Sequence, residues 1–154
     1  ANGLTISEKK LMDTYSPSQC LLKLNDIISV EDAINSEMHS IGRLQREESK
    51  KFTRGLVIVW LAYLNKMLNL NKSMSETQIK LASSLICEDF YMLKMSDLTL
   101  IFRRIISGQY GEFFERLSID KVLTFFREYR EERFEIAINE SERAHINNKQ
   151  NQNI

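Results

Sequence analysis

Apolar residues recur along most of the chain at intervals of three and four, which is the spacing of one face of an α-helix. The clearest amphipathic segments span residues 75–87, 97–107 and 118–129. Residues 56–64 (LVIVWLAYL) are apolar on every side, as expected of a helix surrounded by other helices. A membrane-spanning helix needs about 20 apolar residues, so this shorter run predicts a buried central helix, residues 56–70, and no membrane association.

Residues that begin and end helices separate these segments. Gly108 predicts the end of the helix 97–107 in a left-handed conformation, and Asn69 marks the exit turn of the central helix. Residues 44–52 are polar and predict either the solvated first half of the central helix or a connector. N-caps are predicted at the serines that precede amphipathic stretches, namely Ser16, Ser29, Ser75, Ser96 and Ser118.

Composition supports a helical fold. The chain has 154 residues with only one proline and five glycines, whereas sandwiches and barrels with many turns need far more of both. Its hydrophobic share of 43% and charged share of 27% are typical of a soluble globular protein. The predicted fold is an all-α, single-domain bundle of five to seven helices over residues 1–146. Residues 147–154 have almost no apolar content and are predicted to form a disordered tail.

Charge and cysteine usage narrow the functional classes. The 21 basic and 21 acidic residues cancel, whereas a protein that binds duplex DNA mainly through phosphates usually has a positive excess. Cys20 and Cys87 are far apart and form no partner pattern, and no secretory signal is visible. We therefore expect two unpaired thiols and a cytoplasmic location.

Catalytic and metal-binding signatures are absent from the sequence. His39 and His145 do not have the spacing to the cysteines that a zinc site needs, and no cofactor or metal is predicted. Cys87 could meet a histidine in space to form a nucleophile, but its apolar neighbours favour a core cysteine. The mixed charges of residues 127–135 predict a solvated helix face on which acids and arginines pair.

Two basic groups are the candidate contact sites for a partner. The first holds five basic residues within 12 positions: Arg43, Arg46, Lys50, Lys51 and Arg54. The second surrounds the connector after Gly108 and comprises Arg103, Arg104, Tyr110 and Arg116, with Phe113 and Phe114 between them. Arginines and aromatics can bind protein partners or stack on unpaired bases. The competing interpretation is that the phenylalanines close the gap between helices while the arginines stay in water. Arg103 and Arg104 could also pair with nearby acids, namely Asp97, Glu112 or Glu115.

The connector and its neighbours carry a family resemblance. The motifs are Ser96-Asp97-Leu98, Phe102, Ile106-x-Gly108-x-Tyr110-Gly111, Phe114-x-Arg116-Leu117 and Glu132-Arg133. Within residues 74–135 the chain resembles small helical proteins encoded in phages and mobile elements of gut bacteria, often beside replication genes. It has a looser likeness to phage helicase-loader adaptors.

The resemblance implies a non-enzymatic accessory or adaptor protein of a mobile element, with a protein partner in the replication machinery. Two alternatives stay open. The first is a protein that binds nucleic acid directly through the two basic groups. The second is an enzyme whose site is assembled only in space.

Overall fold

The computed structural model describes residues 3–22, 26–111 and 116–152, and helices account for 75% of it. Its eight helical segments are α1 (Ile6–Thr14), α2 (Pro17–Leu22), α3 (Val30–Asn35), α4 (Ile41–Glu47), α5 (Lys50–Leu68), α6 (Glu76–Asp89), α7 (Met95–Ile106) and α8 (Ile119–Gln152). Two of these segments, α2 and α3, have only six residues each. Within the described ranges, β-type pairing is limited to isolated bridges at Ser40–Lys94 and Lys72–Arg116. The prediction of a single-domain all-α bundle is confirmed.

Most predicted helix ends are confirmed. The Ser29 and Ser75 side chains accept bonds from the N3 backbone of α3 and α6, and each N3 side chain bonds back to the cap. Backbone N–H groups of the first turns also bond to the hydroxyls of Ser16 and Ser118. Asn69 ends α5 in a left-handed conformation with φ 47°. These ends are set by residues within one turn of the cap, which is why a local pattern identifies them.

Helix α5 forms the centre of the core. Trp60 is fully buried, its ring meets the ring of Phe102 edge-on at 5.0 Å, and its indole N–H donates to the Tyr15 carbonyl at 2.8 Å. The predicted central helix is thus confirmed, although Val59 is 39% exposed and one side of α5 faces solvent. The indole bond also fastens the end of α1 to the core.

The polar stretch 44–52 contains a break between two helices. Helix α4 ends at Glu47, the backbone turns at Glu48 (φ −109°, ψ −86°), and Ser49 caps α5 by accepting a bond from Phe52 N–H at 2.9 Å. The central helix therefore begins at Lys50, six residues before the predicted start. The serine cap and the turn lie inside a charged run, where the periodicity of apolar residues gives no signal.

The start of α7 differs from the prediction. Lys94 rather than Ser96 is the N-cap, and its backbone N–H donates to the Asp97 carboxylate at 2.7 Å. Ser96 is fully buried and donates to the Ala33 carbonyl at 2.9 Å. The Lys94 ammonium donates to the carbonyls of Ile34 and Ser36 at the end of α3. Bonds to α3 thus override the local capping preference of Ser96.

The charged face of α8 also differs from the prediction, because several of its side chains bind other helices instead of each other. The Arg133 Nε donates to both Asp97 oxygens at 3.0 and 3.1 Å, and Asp97 is fully buried. Tyr129 donates to the same carboxylate at 2.6 Å. The guanidinium of Arg130 lies 4.5 Å from the Phe90 ring centroid. These contacts hold α8 against α6 and α7.

The last part of α8 leaves the bundle. All residues from 141 to 152 are exposed, and the helix continues to Gln152 where the sequence predicts a disordered tail from residue 147. Helix continuation needs only hydrogen bonds within the segment itself, so it does not require the apolar contacts that the tail lacks.

The connector after α7 begins as predicted. Gly108 has φ +82° and follows the end of the helix at Ile106, and Gly111 has φ +106°. Phe113 and Phe114, predicted to close the gap between helices, lie outside the described residues, as do Glu112 and Glu115.

Candidate functional site

The side chains of the first basic group are exposed on two consecutive helices, and we call them the basic face. Arg43 and Arg46 lie on α4, and the other members lie in the first turns of α5. All five side chains are exposed: Arg43, Arg46, Lys50, Lys51 and Arg54. Ser40 and Ser49 are the N-caps of these two consecutive helices, which together carry the five basic residues within 12 positions of the chain.

Only one member of the basic face is neutralised by a neighbouring carboxylate. Arg43 Nε lies 2.9 Å from Glu47 Oε1, and this hydrogen bond lowers the pKa of Glu47. Glu48 accepts a bond from Ser7 on α1 instead. Within the described part of the chain, no carboxylate lies within ion-pair distance of the other four cations. The face therefore keeps a net positive charge although the whole chain is neutral.

An aromatic residue that sequence reasoning missed stands beside the basic face. Tyr91 is 56% exposed and follows the buried Phe90 at the end of α6. A Cβ on Gly42 would lie 3.5 Å from Tyr91 Cδ2 and 3.5 Å from Arg46 Nη1. The ring and the guanidinium therefore both border the space over Gly42, which has no side chain. The sequence signal was an aromatic pair at a helix end, of which only one ring can enter the core.

The loop that carries Tyr91 is bound to the start of α4. Gly42 N–H donates to the Tyr91 carbonyl and Ile41 N–H donates to the Leu93 carbonyl, both at 2.8 Å. These bonds satisfy two of the backbone donors that every helix leaves open at its N-terminus. Phe90 and Leu93 are buried on either side of Tyr91. The position of the Tyr91 backbone is thus fixed from both directions.

Two members of the second predicted group make contacts within the chain. The Arg104 side chain is 19% exposed and pairs with Glu132, and its Cζ lies 5.4 Å from the Tyr129 ring centroid. Tyr110 stacks on Phe125 with ring centroids 5.1 Å apart, so Phe125 covers that face of the Tyr110 ring. The intramolecular interpretation thus describes Arg104, whose described partner is Glu132. Of the three acids predicted, Glu112 and Glu115 lie outside the described residues.

Electrostatics of the connector reflect this internal pairing. Burial lowers the pKa of Arg104, but its hydrogen bonds to Glu132 and Tyr110 outweigh that effect and raise it above the usual value. Burial raises the pKa of Tyr110. Both groups keep their ordinary charge at neutral pH, with Arg104 cationic and Tyr110 neutral. Their contribution is to the packing of α7 against α8.

The remaining two residues of the second group lie apart. Arg103 is half-buried and donates to the Ile27 carbonyl at 3.1 Å. Arg116 is exposed in a bridge with Lys72, where Leu117 N–H donates to the Lys72 carbonyl. Of the predicted contact residues, those of the basic face are all exposed, whereas Arg103, Arg104 and Tyr110 make contacts within the chain.

The candidate nucleophile Cys87 is buried, and the candidate histidine His39 makes contacts through both ring nitrogens. Cys87 is 5% exposed, and burial raises the pKa of its thiol to about 12, so the reactive thiolate is scarce at neutral pH. His39 lies between Tyr15 Oη at 2.7 Å and Glu47 Oε2 at 3.3 Å. Cys20 and Cys87 are both buried free thiols, as the sequence predicts.

Comparisons with family models, curated proteins and solved structures found no match to this chain. Among the described residues, no group of three or more acidic, histidine or cysteine side chains is arranged to hold a metal ion. The helices in those ranges include none that is both long and apolar enough to cross a membrane.

Proposed function

We propose that this protein is a non-enzymatic accessory protein of a mobile genetic element that acts in the cytoplasm by binding nucleic acid through the basic face. One observation carries this proposal: five exposed basic side chains lie on two consecutive helices, and among the described carboxylates the only ion pair to them is that of Glu47 with Arg43. A surface of this kind attracts phosphates by charge and by release of the counterions that surround a nucleic acid.

The number of unpaired cations on the basic face sets the expected affinity for nucleic acid. Four unpaired cations can contact about four phosphates, which gives a slope of log K against log salt of about −3 for a single strand. Binding should therefore be modest and strongly weakened by salt. The assignment to a binding protein rather than an enzyme is supported by the protonated Cys87 thiol and by the engagement of both ring nitrogens of His39.

A protein partner is the second candidate, in line with the adaptor role expected from the resemblance. It is favoured by exposed apolar residues on the second half of α8: Phe134, Ile138 and Ile146 are 65%, 41% and 53% exposed. In that role the protein would contact the replication machinery through α8 and nucleic acid through the basic face.

Fluorescence anisotropy with a labelled oligonucleotide tests the leading proposal. Wild-type protein should bind at low salt and lose affinity as salt rises, with the slope given above. The variant Arg46→Glu with Arg54→Glu reverses two charges of the basic face and should abolish binding. A matched control, Arg143→Glu with Lys149→Glu, makes the same charge change on the exposed part of α8 and should retain most of it.

Two results would overturn the proposal. One is the absence of salt-dependent binding by wild-type protein. The other is an equal loss in both double variants, because it would mean that total charge and not the basic face determines the affinity. Melting temperatures of both variants should stay close to that of wild type, since all four side chains are exposed.

A further inference from the structure

We propose that Tyr91 stacks on an unpaired base of the bound strand, so that the basic face selects single-stranded over double-stranded nucleic acid. This inference rests on the proposed function and names the class of its ligand. It goes beyond charge, because the basic face by itself would bind any polyanion of suitable length.

The first argument is the exposure of a ring in a fixed position. An exposed aromatic side chain is costly to order on binding unless its backbone is already held. Tyr91 has 56% of its surface exposed while its flanking residues Phe90 and Leu93 are 1% and 0% exposed. The Tyr91 carbonyl and the Leu93 carbonyl both accept bonds from α4. The ring therefore projects from an anchored loop, and little backbone entropy is lost when a base binds.

The second argument is the position of the ring relative to the cations. Tyr91 Cδ2 and Arg46 Nη1 each lie 3.5 Å from the point where a Gly42 Cβ would stand. A base stacked on the ring would place its own phosphate within reach of Arg46, and neighbouring phosphates would continue toward Lys50 and Arg54. Aromatic platforms flanked by cations along the backbone are the usual arrangement for single-strand binding.

The third argument concerns direction. Glu88 and Asp89 are exposed in the last turn of α6, just before the loop that carries Tyr91. Their charges repel phosphates, so the strand should approach Tyr91 from α4, which carries Arg46. In a duplex the bases are paired and stacked on each other, so a single ring cannot reach a base face without paying for unstacking.

The experiment compares three probes of equal length, about 15 nucleotides. One is oligothymidine, one is the abasic strand with the same phosphates, and one is a duplex. Wild-type protein should bind oligothymidine at least about fivefold more tightly than the abasic strand, which is the lower end of what one stacked base contributes. It should prefer oligothymidine to the duplex as well.

Three variants isolate the ring. Tyr91→Ala should bind oligothymidine and the abasic strand equally, at the affinity that wild type shows for the abasic strand. Tyr91→Phe keeps the ring and should keep the wild-type preference. Phe134→Ala removes an exposed aromatic ring of α8 and serves as the matched control, with binding unchanged.

The outcomes separate this inference from the proposed function. Salt-dependent binding of both strands without a preference in wild type leaves the proposed function standing and overturns the inference. An equal weakening of both strands by Tyr91→Ala also overturns it, because the residue would then act on the shape of the basic face. If wild-type protein binds neither oligothymidine nor the abasic strand, both the inference and the proposed function are overturned. Preferential capture of a soluble acidic protein over oligothymidine would favour a protein ligand and overturn the inference.

Discussion

Replacing Asp97 with asparagine should strongly destabilise the protein. Its carboxylate is fully buried and accepts bonds from Tyr129 Oη at 2.6 Å, Lys94 N at 2.7 Å and Arg133 Nε at 3.0 Å. Asparagine has nearly the same shape but carries no charge, and its amide group is a donor that faces donors. The substitution removes the counter-charge of Arg133, whose side chain is only 17% exposed.

The magnitude follows from this burial. Removing one partner of a buried ion pair typically costs about 3–5 kcal/mol, because the other charge stays desolvated. For a chain of this size, each kcal/mol lowers the melting temperature by about 2–4 °C, so we expect a fall of roughly 6–20 °C. Tyr129→Phe removes one bond to a charged acceptor and should cost about 1.5–3 kcal/mol.

The chain offers a matched control on the surface. Asp120 is 87% exposed and lies 3.7 Å from Arg127, so Asp120→Asn should cost less than about 1 kcal/mol. Urea unfolding can be followed through Trp60, the only tryptophan and a fully buried one. A difference between Asp97→Asn and Asp120→Asn smaller than about 1 kcal/mol would refute the reasoning. So would strict additivity of Asp97→Asn and Arg133→Met, because residues that interact directly should couple.

Two further substitutions test local features. Gly108 has φ +82°, and a Cβ there would meet no atom within 4 Å, so Gly108→Val should cost about 1–3 kcal/mol from backbone strain alone. Gln109→Ala should have little effect, and equal shifts in melting temperature would contradict the helix-stop assignment. Burial raises the pKa of Cys87 from 9.0 to about 12. The thiol therefore loses its proton at a lower pH in the unfolded chain than in the folded protein. The free energy of unfolding should fall as pH rises between these two pKa values. Urea titrations should show wild type losing about 1 kcal/mol more than Cys87→Ala between about pH 8.5 and 10, and parallel losses would show that the thiol is not the cause.

Features set by nearby residues could be read from the sequence. Ser29, Ser75 and Gly108 act through hydrogen bonds or backbone angles within one turn, and each was predicted correctly. The burial of Trp60 could be predicted because it lies within a run of nine apolar residues, which is unfavourable to expose to water. The basic face was predicted as a cluster because its members are close in sequence.

Features set by distant residues could not be read in this way. Ser96 has a good capping side chain, yet it bonds to Ala33, which is 63 positions away. Glu132 has Arg130 and Arg133 close by on its own helix, yet it pairs with Arg104 on α7. Tyr91 could not be assigned to the basic face, because it reaches α4 only through the packing of the loop after α6.

The long terminal helix implies uneven stability along a single element. Up to Arg133, α8 is held by the buried carboxylate of Asp97 and by the ring of Phe90. From residue 141 onward it is stabilised only by its own hydrogen bonds, and isolated helices of about 12 residues are marginal in water. Its amides should therefore exchange with deuterium by fraying from the end, at rates insensitive to substitutions in the core. A partner that docks there would first have to order the segment, and that ordering would reduce the affinity it could reach.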